Sequence, residues 1–157
     1  MVWANRTADV HPPLVDFENL DGWTVACVDA EASFTRSRQQ QLWGQYVGSL
    51  VYRGTGKNPV VSLKPPKPIP ISGPFNCVNL WVYGNNWGWE PDPKTPPVEI
   101  AVLMRGRNGA QVRVVLGRVV WQEWWVMHRR LTDEQLALLK EGATVEGIDV
   151  SDGRNAE

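Results

Sequence analysis

Reactive groups are scarce in this chain. Its 157 residues include two cysteines and two histidines and contain no C-x-x-C spacing, which removes zinc knuckles and dithiol redox motifs. Cys27 and Cys77 are left open to one disulfide or to two buried thiols. His11 belongs to the N-terminal tail and His128 stands beside Arg129 and Arg130, so a Ser-His-acid or Cys-His arrangement has no local support. Acid pairs for glycoside hydrolysis can be drawn from Glu90, Asp92, Glu99 and Glu123, but the separation such chemistry needs is set in space, not along the chain. The chain reads as a protein that is not an enzyme.

Long apolar runs are missing too. No stretch of about 18 apolar residues exists, which predicts no membrane span, and residues 1–13 lack the basic start and apolar middle of a secretion signal. Net charge is formally −1, so there is no global pull toward nucleic acid or an anionic membrane, and neither is expected as a partner. One local excess stands out. Residues 105–130 hold Arg105, Arg107, Arg113, Arg118, Arg129 and Arg130 against Glu123 alone. That excess reads first as a solvated face, and otherwise as a site for a uronic acid polymer or phosphates; no nucleic-acid motif accompanies it.

What the chain does have is tryptophan, glycine and proline. Nine Trp stand against three Phe and three Tyr, with 14 Gly and 12 Pro, a composition of short strands and many turns. Residues 1–13 read as a linker or edge segment ending in a Pro pair, and residues 14–157 as one β-sandwich domain. Alternation marks strands at 14–18 and 23–27, a polar edge strand at 32–38, and a Gly-interrupted strand within 42–53. A short strand at 60–63 precedes residues 64–74, too proline-rich for anything but an extended crossing between sheets. Strands at 98–103 and 112–116 flank Asn108-Gly109, the strongest hairpin signal in the chain, and residues 119–131 read in strand register as a further strand. One helix is expected at 133–141: Thr132 and Gln135 form a capping box, Leu136 and Leu139 a buried stripe, and Gly142 the stop. The last strand is 144–150. The fold class is all-β, a two-sheet antiparallel β-sandwich of jelly-roll type with one short helix.

The chain is organised around residues 78–97. Val78, Leu80 and Val82 alternate with Asn79, Trp81 and Tyr83, giving a strand with a core face and an aromatic face. Beyond Gly84 the pattern breaks at Asn85, Asn86 and Gly88, and Trp87 and Trp89 fall in this punctuated loop. Rings in a polar loop either fold back over the core or hold a ligand.

The order Phe17-Glu18, Gly22-Trp23, Gly48-Ser49-Leu50, residues 80–84 (LWVYG), a W-x-x-W and Gly147-Ile148-x-Val150 resembles galactose-binding-like β-jelly-roll domains, among them many carbohydrate-binding modules. The resemblance spans roughly residues 14–150 in short motifs. It implies a non-catalytic appendage of a secreted carbohydrate-active protein, extracellular or at the cell surface. It also implies a structural Ca²⁺ held by a carboxylate of the opening strand, a position Glu18 matches, with Asp16 as its weaker neighbour. Domains of this type close with a strand whose acidic residue also reaches the calcium. If residues 147–150 are that strand, Asp149 is the second ligand; if they are an earlier one, the final strand is missing and a sheet edge is left open.

The function expected on these grounds is polysaccharide binding by ring stacking and hydrogen bonds. Trp87 and Trp89 are the first candidates, with Asn85, Asn86, Glu90 and Asp92 for the hydroxyls. Trp81 and Tyr83 are alternatives on the strand face. Of Trp121, Trp124 and Trp125, which cannot all face one way, Trp124 is taken as the exposed ring. The rival expectation is a ligand-free spacer of the same fold packed against a catalytic domain.

Overall fold

Alternating side chains become antiparallel ladders throughout. The structure is a computed structural model that describes residues 12–90 and 95–153, so most of the expected 1–13 linker and Asp92 lie outside the described residues. Its elements are β1 (Thr24–Val28), β2 (Ala30–Ser37), β3 (Val47–Gly54), β4 (Val60–Lys64), β5 (Ile69–Ile71), β6 (Cys77–Tyr83), β7 (Glu99–Gly106), β8 (Gln111–Arg118), β9 (Trp124–Arg130), α1 (Asp133–Leu139) and β10 (Ala143–Ser151).

One large sheet carries the order β1-β4-β10-β7-β8, with β5 added against β10. Two separate ribbons, β2-β3 and β6-β9, form the opposing layer. Together they make an all-β antiparallel sandwich. In β8, Val112, Val114 and Leu116 are buried while Gln111, Arg113 and Val115 are not, because period 2 sends alternate residues to one face. Val61, Leu63, Ile100, Val102, Met104 and Val150 complete the large sheet's side of the core. From the ribbons come Tyr52 and Met127, with Phe34, Leu50, Leu80 and Val82 packed against them. Both ribbons therefore rest on the same sheet, each held by apolar burial worth about 25 cal/mol per Å².

Local signals explain the punctuation. Gly109, at φ 86°, supplies the left-handed residue of the β7–β8 hairpin. Thr132 and Gln135 close a reciprocal capping box on α1, and Leu139 is 1% exposed beneath the helix. In β3, a Cβ on Gly48 would lie 2.7 Å from the Phe34 ring, which meets Phe17 and Trp23 at centroid distances of 6.0 and 5.9 Å. The glycine makes room for that aromatic cluster.

Four expectations need correction. Residues 14–18 are not a strand: Phe17 adopts φ 59°, which breaks the alternation and turns its ring onto Trp23 at 5.5 Å. The proline-rich crossing does contain a strand, since Pro70 sits opposite Thr144 in β5, a three-residue edge where a missing N–H is tolerated. The strand expected within 119–131 starts at Trp124, because 119–123 are spent on loop contacts described below. The helix ends at Leu139 rather than 141.

Leu139→Ala is expected to lower stability by about 2–5 kcal/mol through the cavity it opens under α1. Urea unfolding followed by tryptophan fluorescence reads this directly, and a loss under 1 kcal/mol would mean that α1 is not anchored by this side chain.

Candidate functional site

A cleft separates the two ribbons. Among the described residues β3 pairs with β2 and β6 pairs with β9, and no strand bridges β3 to β6. Between them lies a cavity of about 450 Å³, within the range of small-ligand sites. Its walls are successive residues, 47–52 of β3 and 79–85 at and beyond β6, while its floor is made of alternate residues such as Ile148 and Val150. Successive residues line a space from a strand's edge, and alternate residues from its face. The cavity thus lies beside two strand edges and above the large sheet.

Its mouth is aromatic and amide-rich. Trp43, Trp81, Tyr83 and Trp124 surround it, with Gln39, Gln40, Asn79 and Asn85. Cross-strand register puts Asn79, Trp81 and Tyr83 on the same face as His128, Val126 and Trp124, their partners in β9. Tyr83 meets Trp124 edge-on at 5.8 Å, and Trp81 meets Trp43 edge-on at 6.2 Å. Asp16 is the one acidic or basic side chain among the described lining residues.

The loop joining β2 to β3 spans the cleft and is latched at both sides. The Trp124 indole N–H donates to the Gln40 carbonyl at 2.8 Å. On the other side the Glu18 carboxylate accepts the Gln45 and Tyr46 amides at 2.8 and 3.2 Å through its Oε1. Arg36 and Arg38 sit over the Tyr46 ring at 4.4 and 5.1 Å.

Glu18 is thereby engaged in holding a loop. Asp149, offset by one residue from the inward Ile148 and Val150, faces the outer side of the large sheet, where it accepts the Ser62 hydroxyl at 2.6 Å. The two carboxylates expected to share a calcium are on opposite layers. Residues 147–150 form part of β10, flanked by β4 and β7. Among the described residues no group of three or more His, Cys, Asp or Glu could hold a metal ion, and Glu18 keeps one oxygen for a cation that takes six to eight. These residues do not compose a calcium cage.

The tryptophan loop is separate from the cleft. It continues the β6–β9 ribbon irregularly: the Gly84, Asn86 and Gly88 amides donate to the Glu123, Trp121 and Val120 carbonyls. A Cβ on Gly84 would stand 2.1 Å from the Trp121 carbonyl oxygen, so this close approach requires glycine. Asn86 is 2% exposed and donates from its side chain to Thr95 O, which makes it a brace of the loop. Trp87 and Trp89 stack on each other, centroids 4.2 Å apart, with Trp89 74% exposed. Glu90 bridges back to Trp87 through the backbone.

Of the residues named from the sequence, Trp81, Tyr83, Trp124 and Asn85 meet at the cleft, whereas Trp87, Trp89 and Glu90 form a second platform away from it. Trp124 is half-buried, and its neighbour Trp125 is the more exposed ring at 56%. Trp43, Gln39 and Gln40 also join the mouth, brought there by tertiary packing of the β2–β3 loop. Three of the six arginines of the 105–130 excess are ion-paired. Arg105, Arg113 and Arg118 pair with Glu146, Glu99 and Asp152 at 2.8, 3.1 and 2.8 Å, and Arg129 donates to Val115 O. Cys27 and Cys77 are free thiols.

The chain matches no family model, no curated protein and no solved structure.

Tyr52, 8% exposed at the cavity wall, has its phenol pushed up to about 12 by burial. The unfolded chain loses that proton near pH 10, so stability conferred by the neutral phenol is complete below pH 10 and falls as pH rises toward 12. Tyr52→Phe is expected to flatten this part of the stability–pH curve, read by urea unfolding at stepped pH. An unchanged curve would place water around the phenol.

Proposed function

We propose that the protein is a non-catalytic carbohydrate-binding module whose site is the mouth of the cleft. The observation that carries this reading is one concave site combining four aromatic rings with side-chain amides and a single carboxylate. A pyranose ring offers an apolar C–H face to an indole and hydroxyls to amides, so such a mouth suits a neutral glycan better than a uronic acid. The ion-paired arginines support the same preference. The stacked Trp87–Trp89 platform offers a second, weaker contact, with Trp89 presenting its uncovered face. In this reading the module serves a larger secreted, carbohydrate-active protein.

A specific observation favours a second reading. Trp125, Trp89 and Val120 are exposed apolar side chains on or beside the β6–β9 ribbon, at 56, 74 and 40%, and a spacer docked on a catalytic neighbour would cover them.

A glycan array and affinity gels with neutral polysaccharides, run with and without calcium, test the proposal. Tyr83→Ala with Trp124→Ala is expected to weaken retention at least about tenfold, about 1.4 kcal/mol, while Trp87→Ala with Trp89→Ala weakens it less. Circular dichroism checks that each variant is folded. A folded parent that no polymer retains overturns the glycan reading in favour of the spacer.

A further inference from the structure

The depth of the cleft has a different shape from its mouth. Six successive residues of β3, Val47 to Tyr52, border it edge-on, and the large sheet floors it with Leu63, Val98, Ile100, Ile148 and Val150. On the far side it is bordered by residues 79–85, and among the described residues no strand lies between. A space beside a strand edge, over an aliphatic sheet face and about six residues long has the outline of a β-strand, roughly 20 Å in extent. An edge strand so placed exposes a row of backbone donors and acceptors that another chain can pair.

We propose that this slot receives an extended, uncharged segment of another polypeptide, which adds as a strand between β3 and β6 and joins the two ribbons into one five-stranded layer. Charge decides the chemistry of the occupant. Asp16 is the only acidic or basic side chain among the described lining residues, and the floor is aliphatic, so an Asp or Glu anywhere in the slot, or any charged side chain turned toward the floor, would go unpaired there. The segment therefore carries aliphatic residues at alternate positions toward the floor. Main-chain pairing supplies affinity and the floor supplies selection, the mode of β-augmentation.

Among the described residues no strand is left over to fill the slot, since all ten described strands already pair with a neighbour. The occupant lies below the rings of the mouth, so this inference does not depend on glycan binding.

Hydrogen exchange resolved to single amides tests it. The probes are a panel of capped, uncharged peptides of about seven residues with aliphatic side chains varied at alternate positions, each with a counterpart N-methylated at alternate residues. In the free protein, the β3 amides pointing away from β2 are expected to exchange fast, and at least one panel peptide to slow them about tenfold or more while its N-methylated counterpart does not. The proposal is overturned if those amides are already slow in the free monomer, or if no peptide protects them. It is equally overturned if the N-methylated counterpart protects as well, or if protection follows protein concentration with dimer formation in sedimentation. Glycan retention measured alongside separates this outcome from failure of the glycan reading.

Discussion

Backbone pairing is the constraint on which the rest of this structure depends. A sandwich is stable when each strand's amides and carbonyls find partners and its apolar face is covered. The large sheet meets both conditions across its width. The opposing layer covers the core but divides into two ribbons, so its ladder is interrupted where β3 and β6 face each other. The cavity follows from that interruption. It is bounded by edges at its sides and by a face below because two ribbons that stand apart on one sheet leave that shape.

Two ribbons that do not share a ladder need another tie, and the β2–β3 loop provides it. Glu18 fixes one end of the loop through two backbone amides, and the Trp124 indole fixes its middle through Gln40. Charge-assisted hydrogen bonds to a carboxylate are among the stronger ones available on a surface, which suits a latch that must order an amide-rich loop. Leu42, 5% exposed, anchors the same loop to the interior. The latch and the mouth are thus one construction. The residues that close the loop over the cleft also array Trp43, Trp81, Tyr83 and Trp124 around it.

Much of the candidate site was legible along the chain, in pieces. The alternation of residues 78–83 put Trp81 and Tyr83 on one face and the core residues on the other, and the ladder with β9 keeps that division. The loop tryptophans were visible because Gly84, Asn85, Asn86 and Gly88 punctuate the strand. Their pairing with residues 120–123 was not, since three backbone bonds between irregular segments leave no periodic trace. Trp125 shows another limit. Its register places it beside Val82 on the inner side, yet the ring is exposed, because burial depends on what lies opposite as well as on the direction of the side chain.

By itself the sequence determined the class of fold, most strand positions, the hairpin at Asn108-Gly109 and the capped helix, since period-2 alternation, left-handed glycine and a capping box act over a few residues. It also determined that reactive chemistry has few parts to work with. Tertiary structure alone decided that the opening stretch bends at Phe17, that Pro70 sits in a sheet edge, and that Glu18 and Asp149 belong to opposite layers. It alone decided that the opposing layer splits into two ribbons around a cleft. Each of these depends on partners that are far apart in the chain, and pairing at that distance is chosen by packing in three dimensions rather than by any local pattern.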